Sequence, residues 1–192
     1  MIRLLLSCLL FATAASAQLP TRTVMDLKTG RLRDDTSHVY TLPWEAGRSF
    51  LFVQGANSGF SHKGELSYDF KMKEGSTVCA ARAGVVEATR ADSEKGGLKP
   101  EHLADGNYII IRHPDGSAAQ YWHLAPGGVS VATGDTVQAG RPIGRSGNTG
   151  YTAFPHLHFQ IVDAGGRELL VRFATKRGPE YLRPGKWYRR SF

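Results

Sequence analysis

Between residues 50 and 175 the chain repeats one pattern: short runs of β-branched and aromatic residues, each bounded by Gly, Pro, Asp or Asn. No stretch sustains the three-to-four apolar spacing of a long helix. "STVCAARAGVVEATR" reads as two strands broken around Ala83 and Gly84. "NYIIIRH" and "SAAQYWHL" flank the turn triplet "PDG", which predicts a β-hairpin. A further turn falls at Gly134 and Asp135, and "HLHFQIVD" and "RELLVRF" flank Ala164, Gly165 and Gly166. The pattern predicts an all-β domain over residues 49–175, with antiparallel sheet almost throughout.

Three segments interrupt the alternation. Residues 18–48 are mixed and polar, an N-terminal extension expected to pack as an arm on the domain. Residues 91–106, "ADSEKGGLKPEHLADG", are a charged insertion between strands, long enough to be a functional surface loop. Residues 176–192 are broken by Pro and Gly and are expected to wrap back onto the sheet as a basic, aromatic extension. The chain shows no internal repeat and no low-complexity segment.

The N-terminus changes the length to be explained. Arg3, the apolar "LLLSCLLFATA" and the small residues Ala15, Ser16 and Ala17 have the layout of a cleaved secretory signal over residues 1–17. The apolar run is too short to span a bilayer, and no later run reaches that length. The expectation is a periplasmic or secreted protein whose mature chain starts near Gln18 and forms one well-cored domain. Cys8 leaves with the signal, so Cys79 has no partner for an internal disulfide and fits its apolar run as a small buried residue.

Charge adds a direction. The 24 Lys and Arg against 17 Asp and Glu give a formal charge of +7, which suits an anionic cell-wall polymer, membrane surface or nucleic acid without choosing among them. No groove-reading motif supports nucleic acid. The basic residues crowd into "KRGPEYLRPGKWYRR", where Tyr181, Trp187 and Tyr188 are interleaved, as in a solvated tail packed by its aromatics.

The candidate chemistry lies in the histidines. "AFPHLHFQI" sets His156 and His158 two apart in a strand, hence on one face, with Leu157 and Phe159 on the other. Adjacent imidazoles buried without partners are costly to desolvate and to charge together. A metal ion, or one metal ligand beside one catalytic base, removes that cost. Upstream, "SHKGELSYDF" holds His62 seven residues before Asp69, and "YWHL" ends a strand on His123. Zinc hydrolases hold their ion through three His or carboxylate ligands and leave a position for water. These stretches contain such a set, though spacing alone does not select its members. His38, His102 and His113 receive no role, the last two being read as ordinary solvated positions.

Taken in order, "SHKGELSYDF", "EGSTVCAARAGVV", "YWHL", "GDTVQAGRPIGRSGNTG" and "PHLHFQI" resemble the lysostaphin-type zinc metallopeptidases, or LytM-like domains, over residues 50–175. The resemblance implies a small open antiparallel sandwich or split barrel whose groove holds one zinc ion. It implies a monomeric endopeptidase that cleaves peptide bonds of bacterial peptidoglycan and takes no nucleic acid. It assigns His62, Asp69 and His158 as zinc ligands, and His123 and His156 as catalytic histidines that do not bind the metal. One departure stands out. Many members carry the carboxylate four residues after the first histidine, where this chain has Leu66; Asp69 is seven away, and Glu65, three away, competes for the role. Tyr68 and Tyr151 are read as substrate contacts or as packing. Some members have lost ligands and act as modules that regulate other wall hydrolases, but every matched position is kept here. "GDTVQAGRPIG" alone also resembles turns of lipoyl and biotinyl carriers, which would leave the histidines unexplained.

Overall fold

The structure is a computed structural model that describes residues 25, 26, 29, 33–56, 58, 62 and 64–191; the signal expected over residues 1–17 lies outside them. Among the described residues the regular elements are sixteen strands and one 3₁₀ turn over Pro100–Ala104. In chain order the strands are β1 (Arg33–Tyr40), β2 (Ser49–Gln54), β3 (Tyr68–Lys71), β4 (Thr77–Cys79), β5 (Gly84–Arg90), β6 (Gly96–Gly97), β7 (Tyr108–Arg112) and β8 (Ala118–Trp122). They continue with β9 (Leu124–Val129), β10 (Thr136–Val137), β11 (Pro142–Ser146), β12 (Gly150–Tyr151), β13 (His156–Val162), β14 (Leu169–Thr175), β15 (Gly178–Glu180) and β16 (Lys186–Arg189).

Eight strands make the main sheet in the order β10-β5-β7-β8-β13-β3-β2-β16, all antiparallel. Its middle contains the hairpin predicted around "PDG", with Tyr108 opposite Trp122 and Arg112 opposite Ala118. The two-residue period sorts the side chains. Phe70, Ile109, Ile111, Ala119, Tyr121, Leu157, Phe159 and Ile161 are fully buried on one face and share a core with Val78, Leu124 and Ile143 of the smaller sheet β4-β11-β9. The edges β10 and β16 do not meet, so the sheet stays open rather than closing into a barrel.

Two pairings depart from the antiparallel expectation. β1 runs parallel to β14, and β6 runs parallel to β12. The turn through Ala164–Gly166 does not return β14 onto β13; apart from a single bridge between Val162 and Glu168, β14 crosses into the separate sheet β1-β14-β15. Alternation carries no strand direction, but "LLV" at the start of β14 is buried at three successive positions, as in strands covered on both faces. The segment ahead of β2 also supplies core: Tyr40, Leu42 and Trp44 are fully buried, each worth on the order of 2 kcal/mol in apolar burial.

His113 is not solvated. It continues the inward alternation of Ile109 and Ile111, is 2% exposed, and donates from Nδ1 to the Ala83 carbonyl at 2.8 Å. His102 is half-buried in the 3₁₀ turn, its Nδ1 2.9 Å from Asp105. The aromatics of the basic tail divide: Tyr188 is buried and Tyr181 packs partly on the core, whereas Trp187 is 68% exposed.

Candidate metal and proton-transfer site

β13 lies between β8 and β3 in the main sheet. Within it His158 is opposite Asp69 on one side and Trp122 on the other, and His156 is opposite Lys71. Directly opposed residues share a face. The alternation of "YDFK" in β3 therefore sends Tyr68 and Phe70 into the core and raises Asp69 on the other face, beside His156 and His158.

Two further histidines arrive from outside these strands. His62 comes from the segment before β3, where the Glu65 amide donates to the His62 carbonyl at 3.0 Å in a tight turn. His123 directly follows β8 and has φ 62°, the sole positive value at a non-glycine among the described residues. That conformation costs roughly 1–2 kcal/mol. Beside the ring, Gly150 lets its strand approach the Gly106 backbone: a β-carbon there would stand 2.8 Å from Gly106 and in ordinary contact, 3.4 Å, with His123 Nδ1.

The polar atoms then converge. His62 Nε2 is 3.1 Å from Asp69 Oδ2, His158 Nδ1 is 2.9 Å from Asp69 Oδ1, and His156 Nε2 is 3.6 Å from that same oxygen. The His123 and His156 ring centroids are 4.7 Å apart, and His62 and His158 stand edge to face at 5.1 Å. All five sequence-predicted residues are thus in one cluster. Glu65 is there too: ligand atoms of His62, Glu65 and His158 lie within 4.8 Å of one another, as do those of His123, His156 and His158.

Main-chain carbonyls set the tautomers. His62 Nδ1 donates to Gly55 at 3.3 Å, His123 Nδ1 to Thr149 at 2.7 Å, and His156 Nδ1 to Phe154 at 2.8 Å. A carbonyl only accepts, so these rings carry a proton on Nδ1 and, when neutral, a lone pair on Nε2. The Nε2 lone pairs of His62 and His156 therefore face a carboxylate, an arrangement that repels unless a proton or a metal cation lies between. Two imidazoles and a carboxylate form a donor set suited to zinc, and the residues present fit such an ion.

The electrostatics divide the cluster. Burial favours the neutral acid of Asp69, but hydrogen bonds from His158 and His62, with charge from His158 and His156, outweigh it and hold the carboxyl well below the usual carboxylate range. Burial likewise opposes a charge on His62, yet Asp69, with help from Glu65, raises its pKa. Burial pushes His123 down to about 3, reinforced by His156 and His158, and burial also lowers His156. Near neutrality the latter two rings are uncharged proton acceptors.

Two other residues, Tyr68 and Cys79, resolve into packing. The Tyr68 hydroxyl is buried, accepting from the Val171 amide at 2.9 Å and donating to its carbonyl at 3.3 Å. Cys79 is fully buried, and burial pushes its thiol up to about 11, far from a nucleophile. Tyr151 is 41% exposed on β12.

Several supporting groups escaped the sequence reading. Gln54 Nε2 donates to Asp69 Oδ2 at 3.3 Å. Asn107, fully buried, accepts from the Ser93 amide, donates to the Ser93 and Leu124 carbonyls, and passes its own amide to Thr149 Oγ1. The available signals were a polar residue closing the apolar run "SFLFVQ" and another placed directly before "YIII".

Comparison with known proteins bears on this geometry. Over 97 residues, half of this chain, the sequence is 36% identical to the peptidoglycan DD-endopeptidase ShyA of Vibrio cholerae serotype O1, covering 20% of that protein. Over 107 residues, 55% of this chain, it is 41% identical to lysostaphin of Staphylococcus simulans, covering 19% of it. The chain thus matches about a fifth of the length of these curated relatives. A catalytic-domain mutant of the prophage-encoded M23 protein EnpA from Enterococcus faecalis has the same fold, with a TM-score of 0.50 at 21% identity over 66% of this chain and 92% of that one. Residues 61–169 match Peptidase family M23. Because that match covers more than half of the chain, from just before His62 to the start of β14, the chain belongs to peptidase family M23.

Proposed function

We propose that the chain is a zinc-dependent endopeptidase that hydrolyses peptide bonds in the stems or cross-links of bacterial peptidoglycan, in the periplasm or outside the cell. The observation that carries this reading is the Asp69 carboxylate set among imidazoles whose lone-pair nitrogens face it. The names of the relatives, a peptidoglycan DD-endopeptidase and lysostaphin, support the substrate class.

His62, Asp69 and His158 would hold the ion. Zinc bound there supplies Lewis-acid polarisation of the scissile carbonyl and an acidified water. The chain supplies the proton handling. His123 and His156 are neutral near pH 7, with Nε2 available because Nδ1 is engaged by a carbonyl. One of them takes the proton of the attacking water at Nε2. The other, neutral with a lone pair on Nε2, would hydrogen-bond the tetrahedral oxyanion only after the first ring passes it that proton, which it then holds for the leaving amine. The Thr149 and Phe154 carbonyls, aimed at Nδ1–H, stabilise each imidazolium as it forms.

The test is mass spectrometry of the soluble products released from purified peptidoglycan, with and without a chelator. Loss of cross-linked fragments with new amine termini, abolished by the chelator and restored by zinc, is the expected result. An intact wall to which the protein binds, or cleavage indifferent to the chelator, would count against the reading.

A further inference from the structure

The row of side chains that includes His156 continues past the site to the edge of the sheet. His156 is opposite Lys71, Lys71 opposite Leu51, and Leu51 opposite Trp187, so four adjacent strands raise these side chains on one face. Three strand spacings of about 4.8 Å put Trp187 roughly 14 Å from His156. The intervening row points the other way: Leu157, Phe70 and Phe52 are buried, as is Tyr188, which packs opposite Phe50. On the site's own face Lys71 is exposed, Leu51 half-buried and Trp187 68% exposed. Arg189, two residues beyond Trp187 and opposite Ser49, is exposed on the same face. The result is an open shelf, continuous with the histidine cluster, that carries one indole and two cations.

The fold has no need of that indole, because Tyr188 is the residue by which β16 joins the core. An open indole face offers a negative π surface, and the C–H bonds on the flat side of a pyranose ring carry the complementary partial positive charge. Lys71 and Arg189 add donors for carboxylates and hydroxyls around such a ring. A stem peptide would use the cations but has no flat C–H face to match the indole. We propose that Trp187, with Leu51, Lys71 and Arg189, forms a subsite for a sugar ring of the glycan strand, which holds the polymer beside the histidine cluster. This rests on the peptidoglycan reading of the site.

The test is calorimetric titration of the full chain with glycan strands from which the stem peptides have been removed. Trp187→Ala is expected to weaken binding roughly tenfold, the loss of one stacked ring, with Trp187→Tyr restoring most of it and an unchanged unfolding midpoint in both. On intact peptidoglycan the alanine variant should raise KM at constant kcat, while a sugar-free cross-linked peptide is cut at the native rate. Equal glycan binding by native protein and variant, or none by the native protein, overturns the subsite. Loss of sugar-free peptide binding in the variant assigns the shelf to peptide and overturns it as well. Glycan binding through Trp187 by a protein that hydrolyses neither substrate supports the subsite and overturns the peptidase reading instead.

Discussion

Asp69 and His158 stand in direct register on adjacent strands, with Oδ1 2.9 Å from Nδ1. The other carboxylate oxygen faces His62 Nε2 at 3.1 Å, so one side chain joins two imidazoles from distant parts of the chain. Asp69→Ala and His158→Ala are therefore expected to lower zinc affinity by about 100-fold or more, since loss even of outer-shell partners costs roughly 10–100-fold. Glu65→Ala should keep the metal. Zinc content by mass spectrometry after dialysis checks this, and loss from the Glu65 variant alone would reassign the carboxylate.

His123 and His156 sit with ring centroids 4.7 Å apart, each with Nδ1 tied to a carbonyl. Replacing either by Ala should leave zinc bound and lower kcat by about 10²–10⁴. Turnover on a cross-linked peptide, measured beside metal content, separates this from a ligand role: loss of zinc in either variant would move that residue into the metal set.

Asn107 ties Ser93, Leu124 and Thr149 together at full burial, and the Thr149 carbonyl receives His123 Nδ1–H. Asn107→Ala leaves the buried amide and carbonyl of Ser93 unpaired, while the Leu124 carbonyl still accepts from Thr149 Oγ1 at 2.8 Å, a loss of about 2–3 kcal/mol. Urea unfolding of the zinc-loaded variant should show it, with zinc content and kcat kept, because Thr149 is held by the Asn107 main-chain amide that alanine retains. A lower kcat would show that the Asn107 side chain itself helps to hold His123.

His113 is buried with Nδ1 donating to Ala83, and burial lowers its pKa from 6.5 to about 4. Its Nε2 is buried without a hydrogen-bond partner. The unfolded chain takes up this proton as pH falls through 6.5, whereas the folded chain resists until about 4. The stability it contributes is fully present above pH 6.5 and declines on acidification, by roughly 3 kcal/mol once pH is below 4. Urea midpoints at pH 7 and pH 5 should therefore differ more for the native chain than for His113→Phe; equal differences would remove His113 as the cause.

The two-residue period made much of this site legible. It put His156 and His158 on one face, and in "YDFK" it turns Asp69 away from the core. The same period assigns His113 to the interior with Ile109 and Ile111, against the polarity of its ring, which argues for the surface. His62 lies outside any strand, and His123 lies at a left-handed corner, so periodicity said nothing of where either points. The parallel pairing of β1 with β14 was hidden for another reason, because alternation is the same read in either direction.

Three of the four clustered histidines are oriented by main-chain oxygens, those of Gly55, Thr149 and Phe154. The second layer of the site is therefore written in the path of the backbone rather than in side-chain identity. Gly55 and Thr149 are fixed for other reasons, since a β-carbon at Gly55 would stand 2.7 Å from the Phe52 ring and the buried Thr149 hydroxyl bonds Asn107 and Leu124, so the freedom to drift is left at Phe154. A relative with a different letter at position 154 can have the same His156 tautomer and the same chemistry.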